Sequence, residues 1–337
     1  MIAAILFLLA AVCLLASLLP LLPFGHGLIR SFDFGRLQAI GVSSLVILAV
    51  LVVGLNSMSL IAAAAMAAVA VVIQLVYVVR FTPLWPVQTV RFEGDSQSEP
   101  TISVLACNVK QGNRDYQKVI DLIEEREPDV AIFMETDKGW ADALRASLSK
   151  FRERIEQPQD NSYGMILASR LKLGEHEVRF LLNDEVPSIH CVAELPGGRE
   201  IRVAAKHARD EPLPVIVTGD LNDVAWSRTT RRFLRISGLL DPRQGRGMYN
   251  TFDARRWYLR WPLDHVFHSQ DFELVSIERQ KFVGSDHFPM FYRLALTSRN
   301  ANQPSPSPSR GDYDEAEEAV EVESNRSRKP AGSDWES

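Results

Sequence analysis

Five stretches of the chain end or follow an apolar run on a side chain able to bind a metal or move a proton. Asn108 closes TISVLACN, Glu135 lies in VAIFMET, and Asp220 and Asn222 close PVIVTGDLN. Asp264 sits in WPLDHVF, and the pair Asp286-His287, in VGSDHFP, directly precedes the last apolar run. Strands that end this way can aim several side chains into one cleft. Carboxylate and amide oxygens are hard donors suited to Mg²⁺, with Mn²⁺ as a substitute, and Mg²⁺ keeps several waters while taking one or two protein carboxylates. A further carboxylate can activate water, and an imidazole can contact phosphoryl oxygens or protonate a leaving group. The set fits metal-assisted hydrolysis of a phosphoester.

Each residue also has a plain structural reading. Asp220 could make an Asx-type bond in a turn, Asp264 could be a turn acid, and Glu135 could cap the segment that follows. Five such features in order, each beside an apolar run, make coincidence the poorer account. His265 and His268 form an HxxH pair with no third ligand clustered nearby, so they read as neighbours of the site. His26, His176 and His190 read as structural. Arg228, Arg231, Arg232 and Arg235 share a helix, and Arg243, Arg246, Arg255, Arg256 and Arg260 interleave with Tyr249, Phe252, Trp257, Tyr258 and Trp261. Such groups can hold a phosphate backbone and stack bases. The reading adopted is the blander one, a solvated helix face and a loop on the bilayer interface.

The elements that would position these residues alternate. Thr101–Cys107 suits a buried strand. Asp115–Glu125 has Tyr116, Val119, Ile120 and Ile123 at helical spacing, with Asn113 as a cap, and Val130–Met134 suits another strand. Strand, helix and strand over about 35 residues imply a parallel crossover. Further strands are expected at Gly164–Ala168, Ile189–Leu195, Ile201–Ala205, Val215–Thr218, Val266–Phe267 and Met290–Leu296, and a helix at Trp226–Ile236. Many strands with few helices between them predict an α/β sandwich of two sheets.

Charge divides the chain. Residues 1–80 carry only Arg30, Asp33, Arg36 and Arg80, whereas 81–297 hold 29 bases and 32 acids and 298–337 hold five bases and nine acids. This excludes a wholly soluble protein, a disulfide scaffold and a strongly basic nucleic-acid binder. A spanning helix needs roughly 20 apolar residues, so spans are expected at about 2–24, 37–55 and 59–79, with a hinge near Gly54–Ser57. A cleaved signal peptide is disfavoured by the missing basic n-region. With three spans, Arg30, Arg36, Arg80 and Arg91 share a side with the middle segment, which the positive-inside bias makes cytoplasmic. The expectation is a multi-pass integral membrane protein with the bilayer as a partner through 1–80, a linker at 81–99, a domain at 100–297, and a disordered acidic Pro/Ser tail at 298–337. Cys107 and Cys191 read as buried thiols.

Asn108, Glu135, the GDLN at 219–222, Asp264 and the SDH at 285–287 resemble the endonuclease/exonuclease/phosphatase superfamily, whose members include pancreatic deoxyribonuclease, abasic-site endonucleases, sphingomyelinases and inositol-polyphosphate phosphatases. The resemblance spans roughly 100–297, and GDLN followed some 65 residues later by SDH is its specific part. It implies a four-layer α/β sandwich, with two packed β-sheets flanked by helices. It implies Glu135 as principal Mg²⁺ ligand, with Asn108 beside it and Asp286 completing or supporting the metal site. Asp220 would orient or deprotonate the attacking water, and Asn222 would hydrogen-bond the scissile phosphate. His287 would bind or protonate the phosphoryl group, with Asp264 fixing its tautomer, and His207 would be a second phosphate-contacting histidine.

Two departures from the pattern stand out. Only Ala208–Pro214 separates His207 from Val215, where the superfamily places a helix, and a parallel crossover needs at least about 10–12 residues. Either the flanking strands are not parallel neighbours or a crossover helix is missing. Lys110 stands where some relatives place a carboxylate. The expectation is a membrane-anchored, Mg²⁺-dependent phosphoesterase acting on a phosphoester such as nucleic acid or a phospholipid headgroup. Its rival is a catalytically impaired relative serving as a membrane-tethered phosphate-ligand or protein-binding module. Transport by the spans is disfavoured, since they hold no Asp, Glu, Lys or Arg.

Overall fold

The structure, a computed structural model, describes residues 1–22, 29, 31–95, 99–180, 185–203, 211–297 and 303–324. It divides into two compact units. The first comprises Met1–Pro86 with Val224–Arg231 and Gly245–Gly247. Its helices α1 (Ile2–Leu18), α2 (Arg36–Val53) and α3 (Met58–Val78) form along the long apolar runs of the sequence. All three are long and apolar enough to cross a membrane. Small buried residues, Ala10, Ala63 and Ala67, let them approach closely beside Val46, Val50 and Leu60. α2 stops at Gly54, whose φ of 92° suits only glycine, and the Ser57 side chain caps α3. Near the head of α2, Arg36 Nε donates to Asp33 and its Nη1 to Gln74 Oε1, while Gln74 Nε2 donates to Ser17 Oγ. The Trp226 indole donates to the Asp33 carbonyl at 2.8 Å.

The second unit comprises Val87–Asp223, Arg232–Gln244 and Met248–Ser337. Its elements are β1 (Thr101–Asn108), α4 (Tyr116–Arg126), β2 (Val130–Met134), α5 (Lys138–Leu148), β3 (Glu153–Gln157), β4 (Met165–Ser169), β5 (Lys172–Phe180), β6 (Pro187–Glu194), β7 (Glu200–Val203), β8 (Val215–Asp220), α6 (Arg228–Ser237), β9 (Asp264–His268), β10 (Phe272–Arg279), β11 (Met290–Leu296) and α7 (Arg310–Ser324). One sheet has the order β10-β11-β1-β2-β4-β3 and the other β5-β6-β7-β8-β9. β1 is mostly apolar because both its faces are covered, and its buried Ser103 is held by the Asp129 carboxylate. Ile102, Val104 and Ala106 turn inward to a core shared with Ile189, Cys191, Ile216 and Val266 of the second sheet. Leu105 and Cys107 turn outward beneath α4 and α5, whose Val119, Ile123, Trp140 and Leu144 close that layer. Each large apolar side chain so buried stabilises the fold by about 1.5–3 kcal/mol. On the far side, Leu234 of α6 packs with Val215 and Phe267. The result is the expected helix–sheet–sheet–helix sandwich.

The parallel crossover β1-α4-β2 forms, with Val104 opposite Val130. β7 and β8 are also parallel neighbours, Arg202 opposite Val215, which removes the first of the two alternatives for the short link. β7 is described over Glu200–Val203 and β8 begins at Val215, with the stretch 204–214 between them, so the last two residues of the expected strand Ile201–Ala205 are not described. Within it, 204–210 lie outside the described residues, His207 among them.

Three strands that the sequence reading did not assign, β3, β5 and β10, are all sheet edges. An edge is covered on fewer sides and tolerates charge, so ERIEQ and KLGEHEVRF carry no apolar period. α5 was legible in principle: Asp137 caps Trp140 N, and Trp140, Leu144 and Leu148 share its buried face. The tail requires a correction. Part of the stretch expected to be disordered, Arg310–Ser324, is the helix α7, held to α6 by charge where apolar burial is scarce. Arg235 donates to both Asp312 oxygens, at 2.9 and 2.6 Å, and Arg232 pairs with Glu315. Cys107 and Cys191 are buried and free, and burial pushes the Cys191 thiol up to about 12.

Candidate active site

The parallel register sets Asn108 opposite Met134, so β1 closes on Asn108 beside the residue that follows β2, Glu135. Asn108 Nδ2 donates to Glu135 Oε1 at 2.7 Å and to Asp220 Oδ2 at 3.1 Å. Asp220 arrives from the other sheet, where antiparallel pairing of β8 and β9 puts it directly opposite Asp264. Its backbone N–H donates to Met134 Sδ at 3.0 Å, tying the two sheets at this point. Asp220 Oδ1 accepts from Asn222 N at 2.8 Å, an Asx-type turn that leaves the Asn222 side chain exposed. Asp220 therefore has both its structural role, through Oδ1, and an Oδ2 that faces Asn108 and His287 in the site. Lys110, Glu135 and Asn222 have φ of 57°, 57° and 51°. Strained non-glycine backbone of this kind persists only where surrounding structure enforces it, and it clusters at functional sites.

His287 stands between two carboxylates. Its Nδ1 is 2.8 Å from Asp264 Oδ2 and its Nε2 3.5 Å from Asp220 Oδ2. Burial alone would push the imidazolium down, but the charges of Asp264 and Asp220 outweigh it and the net shift is upward. Asp220 is pushed up by its own burial, opposed by the His287 charge and helped by that of Asp264. Phe252 packs on the imidazole, ring centroids 4.9 Å apart, and Ser285 Oγ accepts the His287 backbone N–H.

Ligand atoms of Asp220, Asp264 and His287 lie within 4.8 Å of one another, a spacing that could hold an ion. A protonated imidazole has no lone pair to offer, however, and its two N–H groups already face the carboxylates. Glu135 is the better seat for a cation. Burial raises its carboxyl pKa, the Asn108 amide and His287 lower it, and the Asp286 charge raises it again. An ionised carboxylate so placed is best relieved by a cation, and the oxygens around it are hard donors suited to Mg²⁺ or Mn²⁺. Asp286 itself accepts from Lys110 Nζ at 3.0 Å and Arg255 Nη2 at 3.1 Å, both on Oδ2.

Beneath the site lies a side chain that the sequence placed in a loop on the bilayer interface. Arg243 is fully buried, paired with Asp241, and donates to the Asp264 carbonyl at 3.2 Å. It also lies 2.7 Å from His265 Nδ1, whose Nε2 faces the Asp223 carbonyl. Burial and the Arg243 charge hold His265 well below the usual range, so it is neutral. His268 is engaged by Thr89 and the Ser269 carbonyl. The HxxH spacing thus serves hydrogen bonds within the fold, and one of the supposed surface arginines is part of the core. Nothing local in the sequence marks Arg243, since its burial comes from strands distant in the chain.

Several solved structures are similar to this chain. D. rerio TDP2 complexed with a single-strand DNA product is 15% identical over 58% of this chain and 98% of that one, with a TM-score of 0.47. An endonuclease/exonuclease/phosphatase from Bacteroides vulgatus is 18% identical over 58% and 99%, TM-score 0.46. The human Nocturnin catalytic domain with bound sulfate is 17% identical over 59% and 94%, TM-score 0.46. No curated protein matches the chain. The sequence profile of the Endonuclease/Exonuclease/phosphatase family matches residues 105–287, more than half of the 337. That span runs from β1 to His287 and takes in the ends of β1, β2 and β8 described above, and the chain belongs to the endonuclease/exonuclease/phosphatase family.

Proposed function

We propose that the protein is a membrane-anchored, Mg²⁺-dependent phosphoesterase that hydrolyses its substrate by attack of water. The observation that carries this reading is the continuous chain Glu135–Asn108–Asp220–His287–Asp264, in which each neighbour lies within 3.5 Å of the next. Glu135 is the principal metal ligand, with Asn108 beside it. The ion, when bound, polarises the phosphoryl group and neutralises developing charge. Asp220, whose burial raises its proton affinity, orients the water and accepts its proton as the oxygen attacks phosphorus. Asn222, exposed at the rim, donates to the phosphate. His287 presents an Nε2–H to the phosphoryl oxygens, and Asp264 holds its ring by Nδ1. His207 is kept as a second phosphate contact from the family resemblance alone.

The three apolar helices support an anchor. Arg30, Arg36, Arg80 and Arg91 support a cytoplasmic catalytic unit under the positive-inside bias. The substrate is a phosphoester, with nucleic acid and phospholipid headgroups as its candidate classes. The test uses the full-length chain in detergent with an aryl phosphodiester. Wild type should turn over only with Mg²⁺, and Glu135→Gln should lose at least about a hundredfold in rate. In EDTA its thermal midpoint should match wild type. Unaltered turnover in Glu135→Gln would remove Glu135 from the site, and no turnover by folded wild type would leave the binding-module reading.

A further inference from the structure

Asp286 Oδ2 is shared by two cations that reach it from different parts of the chain. Lys110 follows β1, and Arg255 lies in the loop before β9. The Arg255 loop is fixed to the same residue through its backbone, since Ala254 N donates to the Asp286 carbonyl at 2.7 Å and Arg255 N donates to Asp253 Oδ1 at 2.8 Å. Lys110 is fixed from the other side. Its N–H donates to Asn108 Oδ1 at 2.9 Å, on the amide that bonds Glu135 and Asp220. To do so it adopts a left-handed φ of 57° that a lysine does not favour. A chance surface ion pair contributes little and would not account for a strained lysine locked to the centre of the site.

The same arrangement bears on the metal. A carboxylate oxygen already holding an ammonium and a guanidinium is a poor partner for a dication, because all three cations would crowd within a few ångströms. Charge-assisted donors of this kind are the usual means of gripping a phosphoryl group. We propose that Lys110 and Arg255, positioned by Asp286, form a cationic pair that binds the non-bridging oxygens of the substrate phosphoryl group, and that Asp286 orients this pair and is not an inner-sphere metal ligand. The proposal rests on the hydrolase reading for its substrate, but it makes a claim about phosphate binding that can be measured without turnover.

The experiment uses the full-length chain in detergent, with inorganic phosphate as the probe, measured by calorimetry in saturating Mg²⁺. Mg²⁺ affinity is measured separately, from the rise of the thermal midpoint with Mg²⁺ concentration. Lys110→Ala and Arg255→Ala should each weaken phosphate binding on the order of tenfold or more, and Lys110→Arg should restore part of it. Asp286→Asn should weaken phosphate as the cation variants do and leave Mg²⁺ affinity within about twofold. Loss of the Mg²⁺ response in Asp286→Asn, with phosphate binding intact in Lys110→Ala and Arg255→Ala, would overturn the proposal. So would a wild-type chain that binds no phosphate. Phosphate binding that depends on both cations, in a chain without hydrolysis, would sustain the pair while removing the hydrolase reading.

Discussion

Asp264 Oδ2 lies 2.8 Å from His287 Nδ1, with both side chains buried, and this contact fixes which nitrogen of the imidazole faces the site. Asp264 is itself held twice, by pairing opposite Asp220 in the sheet and by the buried Arg243 at its carbonyl. Its Oδ1 has no hydrogen-bond partner among the described residues.

Replacing this carboxylate by its amide tests whether it acts on turnover or on binding. An amide keeps the shape but cannot stabilise an imidazolium. Asp264→Asn should lower kcat by about 10²–10⁴-fold with KM for the aryl phosphodiester nearly unchanged. Steady-state kinetics separates the two constants, and a change confined to KM would make Asp264 a contact residue.

Gly164 gives a steric route to Glu135, the proposed metal ligand. A Cβ there would lie 1.8 Å from the Thr136 carbonyl oxygen and 2.5 Å from Gln159 N, backbone atoms that cannot turn aside. Thr136 follows Glu135, whose left-handed backbone depends on that neighbourhood. Gly164→Ala should destabilise the fold by about 1–3 kcal/mol and weaken Mg²⁺ binding together with it. Denaturant melts and the Mg²⁺ dependence of the thermal midpoint check the two halves of the claim.

The α6–α7 latch carries a pH dependence of definite sign. The Arg235 guanidinium holds the Asp312 carboxyl below the ordinary range against an opposing effect of burial, with Ser309 N–H and Oγ–H both donating to Oδ2. A depressed carboxyl contributes its stability above the unfolded pKa, about 3.9, and loses it as pH falls through the folded value. A fluorophore at Glu317→Cys should keep high anisotropy from neutral pH down through pH 4 and lose it only in stronger acid. With Asp312→Ala added, the anisotropy should be low throughout.

What could be read without coordinates were the elements whose every residue is constrained by burial. A helix able to span a bilayer needs about 20 apolar residues in a row, so three helices long and apolar enough to do so were visible in composition. β1, β2 and β11 lie inside a covered sheet, so they too are mostly apolar, broken only by Thr101, Ser103 and Asn108 in β1 and Arg293 in β11, and the sequence places them within a residue of their observed ends. The polar residues that end such runs were visible for the same reason, as breaks in an otherwise apolar pattern.

Tertiary structure decided everything that depends on partners distant in the chain. The edge strands β3 and β5 exist because a neighbour offers them hydrogen bonds, which their own side chains do not announce. Arg243 and Arg255 belong to one arginine-rich stretch, yet one is sealed in the core against Asp241 and the other reaches Asp286, because the loops and strands around them arrive from elsewhere. Lys110 looked like a small departure from a familial pattern until folding set its ammonium against Asp286. The types of residue able to do chemistry were thus written locally, whereas which charges meet one another in the candidate site follows from sheet register and loop closure.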